Sequence, residues 1–148
     1  MKVFEDRFRV KANLEAVSFF HSNTRALKRL TPPPAFVQLH KVEPLAEGSQ
    51  SAFTLWFGPL PIRWLAVHKQ VDPRCGFTDI QARGPLRRWI HRHEWQAQPD
   101  GSTLLHERIE LEHYSGLRGL LTRVLFAPPL LKMMFAYRRW VIRRALEQ

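Results

Sequence analysis

The C-terminal stretch from Ser115 to Gln148 constrains the fold more than any other part of this chain. Apolar residues recur there at three- and four-residue steps, which is the period of one helix face: Leu117, Leu121, Val124, Pro128, Leu131, Phe135 and Ile142. Because Pro128 and Pro129 cannot donate backbone hydrogen bonds, we expect the helix to kink or restart at these prolines. Such a helix cannot bury its apolar stripe alone, so it requires a sheet or a membrane surface to lie against.

The same stretch is strongly basic. It holds seven Lys/Arg residues against one acid, Glu147, and so supplies +6 of the net charge of +10. That charge is compatible with nucleic acid, anionic lipid or an acidic protein as a partner. Nucleic acid is disfavoured, because no recognised binding module with aromatic residues interleaved on an exposed basic face is evident. An anionic membrane surface remains a candidate partner.

Length and composition indicate an ordinary globular protein. A chain of 148 residues is expected to form one domain over 1–148, and no uninterrupted apolar run reaches the ~18 residues of a membrane span. Glu5 and Asp6 lie where a secretory signal would be apolar, so we expect a cytoplasmic protein. Cys75 is the only cysteine, which excludes an internal disulfide and a multi-cysteine metal cluster. No phosphate-binding glycine loop or dinucleotide fingerprint occurs, so no cofactor is expected.

Between the N-terminus and the basic stretch, the apolar pattern is mostly that of strands. Alternation with period two predicts seven of them: Lys2–Val10, Phe36–Glu43, Gln50–Phe57, Ile62–Val71, Phe77–Arg83, Leu86–Ala97 and Ser102–His113. Asn13 is expected to cap a first short helix, and Thr24 a second one that ends at Leu30. Short connections favour an antiparallel meander. The predicted fold class is therefore α+β, with a curved antiparallel sheet of about seven strands around the long C-terminal helix.

The last two strands form a hairpin that carries the most reactive side chains. On Leu86–Ala97, a face with Arg88, Arg92, Glu94, Gln96, Leu86 and Ile90 is expected to be solvated. The opposite face, with Trp89, His91, His93 and Trp95, is then buried. On the partner strand the inward set is predicted to be Thr103, Leu105, Glu107, Ile109 and Leu111. Since paired residues share a face, the register must place either His91 or His93 opposite Glu107.

This histidine–carboxylate group permits several interpretations. It can be a buried polar pair that limits the cost of burying Glu107, or a polar floor that contacts a ligand. It can also be a catalytic acid–base group, or a metal site formed by His91, His93 and Glu107. No metal is assigned, because the spacing alone is a weak signal. The remaining histidines show no ligand spacing and are expected at the surface or at an interface: His21, His40, His68, His106 and His113. The arginine clusters are expected on solvated faces: Arg87-Arg88, Arg138-Arg139 and Arg143-Arg144.

Several short motifs, taken in order, resemble a known superfamily. They are Leu30-Thr31-Pro32-Pro33, Trp64, Asp72-Pro73, Phe77-x-Asp79-x-Gln81, Gly84-Pro85, Trp89-x-His91-x-His93-x-Trp95 and the basic segment Phe135-Ala136-Tyr137-Arg138-Arg139. Their order and spacing resemble the START-like, polyketide cyclase/dehydrase (SRPBCC) superfamily, and within it a bacterial ligand-binding branch. The resemblance implies a helix-grip fold with a hydrophobic cavity between sheet and long helix. It does not imply an enzyme, and Leu111 and Trp95 depart from the tyrosine and phenylalanine that relatives often carry.

The leading hypothesis for function is binding or transport of a hydrophobic or amphipathic, lipid- or polyketide-like small molecule. We expect the cavity to be walled by Phe53, Leu55, Trp64, Trp89, Trp95, Ile109, Leu131 and Phe135, with His91, His93 and Glu107 as its polar end. A first alternative is a cyclase or dehydratase in which His91 or His93 is the base and Glu107 orients it. A second alternative is salt-sensitive adsorption of the basic C-terminal helix to an anionic membrane, without insertion.

Overall fold

The computed structural model describes residues 1–23 and 25–147 and consists of one antiparallel sheet with helices packed on it. The strands are β1 (Lys2–Val10), β2 (Ala35–Val42), β3 (Gln50–Phe57), β4 (Leu60–Asp72), β5 (Gly76–Arg83), β6 (Arg88–Ala97) and β7 (Thr103–Glu112). The helices are α1 (Leu14–His21), α2 (Ala26–Leu30), α3 (Leu120–Leu125) and α4 (Pro128–Leu146), with a 3-10 turn at Gly116–Gly119. Strand order in the sheet is β1-β7-β6-β5-β4-β3-β2. The predicted fold class, a seven-stranded sheet with a long C-terminal helix, is confirmed.

The start of α1 follows from its capping residue. The side chain of Asn13 accepts a hydrogen bond of 2.8 Å from the backbone nitrogen of Ala16, as expected for an N-cap. The corresponding prediction for Thr24 lies outside the described residues. The three prolines after Leu30 end α2 and lead directly into β2, because a residue that precedes proline is driven away from the helical conformation.

The helix of the C-terminal stretch restarts at Pro128 and Pro129. A restart and a kink were the two predicted outcomes. Ala127 has extended backbone, and Pro128 and Pro129 occupy the first turn of α4, where a missing N–H costs nothing. The stripe itself is only half buried. Leu131, Phe135 and Ile142 are buried, whereas Leu117 is 89 % exposed and Leu121 and Val124 are also exposed. These three residues before the prolines thus keep helical periodicity without a surface of the sheet to cover.

The β6–β7 hairpin has the predicted inward faces and a definite register. His93 pairs with Glu107, and Trp89 with Leu111. All nine predicted inward side chains of the two strands are buried. One expectation about the outer face is wrong: Leu86 is 1 % exposed and precedes β6. The side chain of Gln81 holds it there, donating to the carbonyl of Leu86 at 2.7 Å and accepting from its nitrogen at 3.2 Å.

The interior has two apolar clusters, and both reach the β6 strand. Trp89 belongs to the first cluster, which includes Trp64, Phe126 and Phe135. Trp95 belongs to the second, which is built on β1, α1 and the end of α4. His91 and His93 lie between Trp89 and Trp95 on the same strand face. The polar residues of the hairpin are therefore placed where the two apolar clusters meet.

Candidate functional site

A cavity of about 660 Å³ lies between the sheet and α4. Its surface is mostly apolar and comes from β3, β4, β6, α2, α4 and the proline segment after α2. Of the predicted wall residues, Phe53, Leu55, Trp64, Trp89 and Leu131 line it. Trp64 packs edge-on against Trp89, with ring centroids 5.3 Å apart. This part of the cavity is therefore an aromatic and aliphatic chamber.

Three other predicted apolar wall residues lie behind the wall rather than on it. Ile109 and Phe135 are 0 % and 1 % exposed, and Phe135 is wedged between Phe4 and His91. The indole of Trp95 turns toward the β4–β5 connection, where its nitrogen donates to the carbonyl of Pro73 at 3.0 Å. These side chains hold the cavity wall in place without contributing to its surface.

The polar end of the cavity is a continuous chain of charged and hydrogen-bonded groups. Oγ of Ser49 lies 2.8 Å from Nδ1 of His68, and Nε2 of His68 lies 3.0 Å from Oδ1 of Asp79. The other oxygen of Asp79 accepts a hydrogen bond of 2.8 Å from Nε2 of His93. Nδ1 of His93 is 2.9 Å from Oε2 of Glu107. The ring of His93 on β6 is thus held between two carboxylates on the strands at either side, β5 and β7.

Glu107 has three cationic or donating neighbours. Nε2 of His91 donates to its Oε2 at 2.6 Å, and a guanidinium nitrogen of Arg138 is 3.6 Å from its Oε1. Glu107 itself is 2 % exposed and lies behind the two histidines rather than on the cavity surface. Sequence analysis expected one histidine to meet Glu107, and the structure brings both to it. The expected solvent exposure of Arg138 is wrong, since this residue is 6 % exposed and comes from α4 to cover the cluster.

Burial and charge separate the pKa values of the two adjacent histidines. Burial lowers the pKa of His93, but the charge of Glu107 and the hydrogen bond to Asp79 outweigh it and raise this pKa to about 9. For His91, burial and the neighbouring charge of His93 lower the pKa to about 4. The rings are 3.8 Å apart between centroids. At neutral pH a charged imidazolium therefore stands beside a neutral imidazole, which is an arrangement able to donate and accept protons.

The two carboxylates stay ionised although Glu107 is buried and Asp79 is half-buried. Burial by itself raises the pKa of Glu107, but the charges of His93 and Arg138 and the hydrogen bond from His91 bring it well below the usual range. Burial also raises the pKa of Asp79, and hydrogen bonds from His68 and His93 bring it below its usual range. Two anions, Asp79 and Glu107, are thus balanced by two cations, His93 and Arg138. Such balance is what makes a buried charge cluster tolerable.

Four members of this cluster were missed or misplaced by sequence analysis: His21, His68, Asp79 and Arg138. His68 shares a strand face with the inward residues Trp64 and Ala66, and Asp79 shares one with Phe77, so period two contained a signal for both. Arg138 lies three residues after Phe135, on the same helix stripe. His21 is 6 % exposed at the end of α1, with no local signal that this end faces the sheet.

The cluster also contains groups that can ligate a metal ion. One ligand atom from each of Asp79, His91 and His93 lies within 4.8 Å of the other two. Two imidazoles and a carboxylate suit a divalent transition metal. This set replaces the Glu107 of the predicted triad with Asp79. For it to bind a cation, His93 must lose the proton that the two carboxylates stabilise, and the site must accept charge beside Arg138.

No protein-family model matches this chain, and no curated protein sequence is similar to it. Solved structures are similar in fold at low sequence identity. A Chromobacterium violaceum protein matches with a TM-score of 0.79 at 12% identity, over 100% of this chain and 99% of the other. A START superfamily protein from Mycobacterium smegmatis matches with a TM-score of 0.67 at 12% identity, over 99% and 97%. Norcoclaurine synthase from Thalictrum flavum matches with a TM-score of 0.67 at 16% identity, over 97% and 96%.

Proposed function

We propose that this helix-grip domain binds a hydrophobic or amphipathic small molecule between its sheet and α4. The observation that carries this proposal is the cavity of about 660 Å³ with an apolar lining and a polar group at one end. Ligand sites typically enclose about 300–1,000 Å³ and combine apolar walls with a few placed polar groups. An unfilled apolar space of this size costs stability, because its wall atoms lose dispersion contacts. A resident ligand would restore these contacts.

Filling the cavity from within tests the proposal. Ala66 is a buried lining residue on β4, so Ala66→Phe directs a ring into the ligand space. Ala136→Phe, on the exposed side of α4, is the matched control. We expect the wild-type protein and the control to bind 1-anilinonaphthalene-8-sulfonate and to release it to apolar competitors, with about a tenfold or greater loss for Ala66→Phe. Equal binding by all three proteins, each folded by circular dichroism, would exclude the cavity as the site.

A second candidate function, docking on an anionic membrane, is favoured by one surface. We define the leucine patch as Leu117, Leu120, Leu121 and Val124, which are 45–89 % exposed. The patch is followed in the chain by the cavity-lining residues Leu125 and Phe126. Cations flank it, and residues 113–146 contain no acid. The helical stretch Gly116–Leu146 also has the length and composition of a membrane span, although part of α4 is buried in the core.

For this docking we propose a mode that differs from the adsorption without insertion expected from the sequence. Of the arginines assigned to it by sequence, Arg138 is buried, Arg139 donates to Asp6 at 2.9 Å and Arg143 donates to the carbonyl of Arg9. We therefore propose the leucine patch, with Arg118 and Arg123, as the membrane contact. Exposed leucines favour shallow insertion, which is less sensitive to salt than pure adsorption.

Flotation with phosphatidylglycerol-containing vesicles distinguishes the two modes. We expect binding at low salt that is reduced but not abolished at high salt. Replacing Leu117 and Leu121 with Gln should remove the salt-resistant fraction, whereas Arg118→Gln with Arg123→Gln should remove the salt-sensitive one. Complete loss at high salt would contradict insertion, and no binding at low salt would contradict the membrane candidate.

A further inference from the structure

We infer that Asp79, His91 and His93 bind a divalent transition-metal ion, of the class of Zn²⁺, Fe²⁺ and Co²⁺, at the polar end of the cavity. Metal binding goes beyond the proposed binding of an organic ligand and does not require it. Three features of the site support it: the positions of the three ligand atoms, the contacts of the groups behind them, and the access from the cavity. Two imidazoles with one carboxylate form a set that such ions prefer.

The three side chains point inward from adjoining positions of two neighbouring strands. His91 and His93 are two residues apart on β6 and therefore share a strand face. Asp79 on β5 pairs with His91 across the sheet, so its carboxylate lies on the same face. One ligand atom from each residue lies within 4.8 Å of the other two. Metal bonds of about 2.1 Å separate the ligand atoms of a tetrahedral site by about 3.4 Å, so each side chain must move by about 1 Å.

The groups behind these side chains are placed as metal ligands require. A histidine that binds a metal usually contacts a carboxylate or a carbonyl through its other ring nitrogen. Oε2 of Glu107 is 2.6 Å from Nε2 of His91 and 2.9 Å from Nδ1 of His93. The ligating nitrogens are then Nδ1 of His91 and Nε2 of His93, and the latter lies 2.8 Å from Oδ2 of Asp79. His68 holds the other oxygen of Asp79 at 3.0 Å. The carboxylate and both rings are thus oriented from behind.

The cavity gives a metal ion an entry path and an open coordination position. Asp79, His91 and His93 all line the cavity, whereas Glu107 lies behind them. When both imidazoles bind as neutral ligands, the two carboxylates offset the charge of a divalent ion. The guanidinium of Arg138, 3.6 Å from Oε1 of Glu107, then leaves the cluster with one positive charge. An anionic oxygen donor on the cavity side, such as hydroxide or a carboxylate, makes the cluster neutral, as a buried site requires.

Titration of the untagged, chelator-treated protein with Co²⁺ tests the site, because Co²⁺ with nitrogen and oxygen ligands absorbs visible light. We expect one ion per chain and no competition from Mg²⁺, which prefers oxygen ligands. Asp79→Asn keeps the shape of the side chain and removes the anionic ligand. It should weaken Co²⁺ binding by about 100-fold or more, since loss of a group behind a ligand alone costs about 10–100-fold. His91→Phe should have an effect of the same size and serves if Asp79→Asn does not fold.

The matched control is His40→Gln, which removes an exposed histidine of β2 and should leave the affinity for Co²⁺ unchanged. Proton spectra of the wild-type protein need no variant: Co²⁺ should broaden the ring signals of His91 and His93 before those of His40. No binding of Co²⁺, equal affinity of the wild-type protein and Asp79→Asn, or broadening confined to surface histidines (adventitious binding only) would each overturn the metal site. Dye binding to the cavity, measured in the presence of chelator, tests the organic ligand separately, so the two failures are distinguishable.

Discussion

The two ends of the cavity are stabilised by different kinds of interaction. At the polar end, Asp79, His93, Glu107 and Arg138 hold one another through directed contacts of 2.8–3.6 Å and balanced charge. At the apolar end, the walls are positioned by close packing of rings and aliphatic chains, as between Phe53 and Trp64. Loss of one member should therefore leave an uncompensated charge at the first end and only a larger space at the second. The polar end thus fixes orientation, and the apolar end fixes size.

The largest effect of a substitution on the free energy of unfolding is expected at the polar end. Arg138→Met keeps an apolar stem of similar length and leaves Asp79 and Glu107 with His93 as their nearby cation. Removing one partner of a buried ion pair costs about 3–5 kcal/mol, because the charge of the other partner stays buried. Urea unfolding measures the change in the free energy of unfolding. Arg144→Met, at an exposed position on the same helix, is the control and should change it by less than about 0.5 kcal/mol.

A second comparison is between a leucine that is sealed in the core and a leucine in the cavity wall. Leu105, 1 % exposed, does not line the cavity, whereas Leu131, 3 % exposed, does. Leu105→Ala should cost about 3–4 kcal/mol, and Leu131→Ala about 2–3 kcal/mol, since part of the Leu131 side chain already faces open space. Unfolding measured without ligand gives both values. A cost for Leu131→Ala that exceeds that for Leu105→Ala would contradict an open cavity.

The histidines should give stability a maximum near pH 6.5. The pKa of His93 is raised to about 9, so its contribution is complete below 6.5 and is lost as pH rises through about 9. The pKa values of His21 and His91 are lowered to about 4, so their contributions hold above 6.5 and are lost as pH falls toward 4. We expect the alkaline limb to span about 3 kcal/mol and the acidic limb more, because two histidines contribute to it.

Unfolding at a series of pH values measures both limbs. His93→Gln should flatten the alkaline limb and His21→Phe part of the acidic one. An alkaline limb that is unchanged in His93→Gln would show that His93 is not held as an imidazolium.

The smallest effect on the free energy of unfolding is expected away from the cavity, in the leucine patch. Leu117 is 89 % exposed, so Leu117→Gln should change the free energy of unfolding by less than about 0.5 kcal/mol. Thermal unfolding in the absence of vesicles measures it. A loss above about 1 kcal/mol would mean that the leucine patch is covered in solution, and the patch could then not be free for a membrane.

Sequence predicted the sheet well because alternation reports directly which side of a strand is buried. The parity argument for the hairpin required only that His91 or His93 face Glu107, and the register of His93 with Glu107 obeys it. Helices carry less information of this kind. Periodicity grouped Leu117 with Leu131 on one stripe, but only the position of the sheet decides that Leu131 is covered and Leu117 is not.

Charged residues in the interior were the hardest to place. Arg138 was expected at the surface, because composition favours solvated arginines and the acid that justifies its burial lies on a distant strand. His68 and Asp79 alternate with inward apolar residues, yet each depends on polar partners from other segments of the chain, among them one another at 3.0 Å. Pairwise compensation across strands is a tertiary property, so a single strand cannot reveal it.

The central claim is that apolar ligands occupy the cavity between sheet and α4, and the most direct test is to locate a bound probe. Methyl-labelled protein with 2-methoxynaphthalene gives intermolecular nuclear Overhauser effects in solution. We expect contacts from the probe to the methyl groups of Leu55 and Leu131, which line the cavity, and none to Leu105, which is sealed in the other cluster. Contacts confined to Leu117 and Leu120, or absent from both Leu55 and Leu131, would contradict the claim.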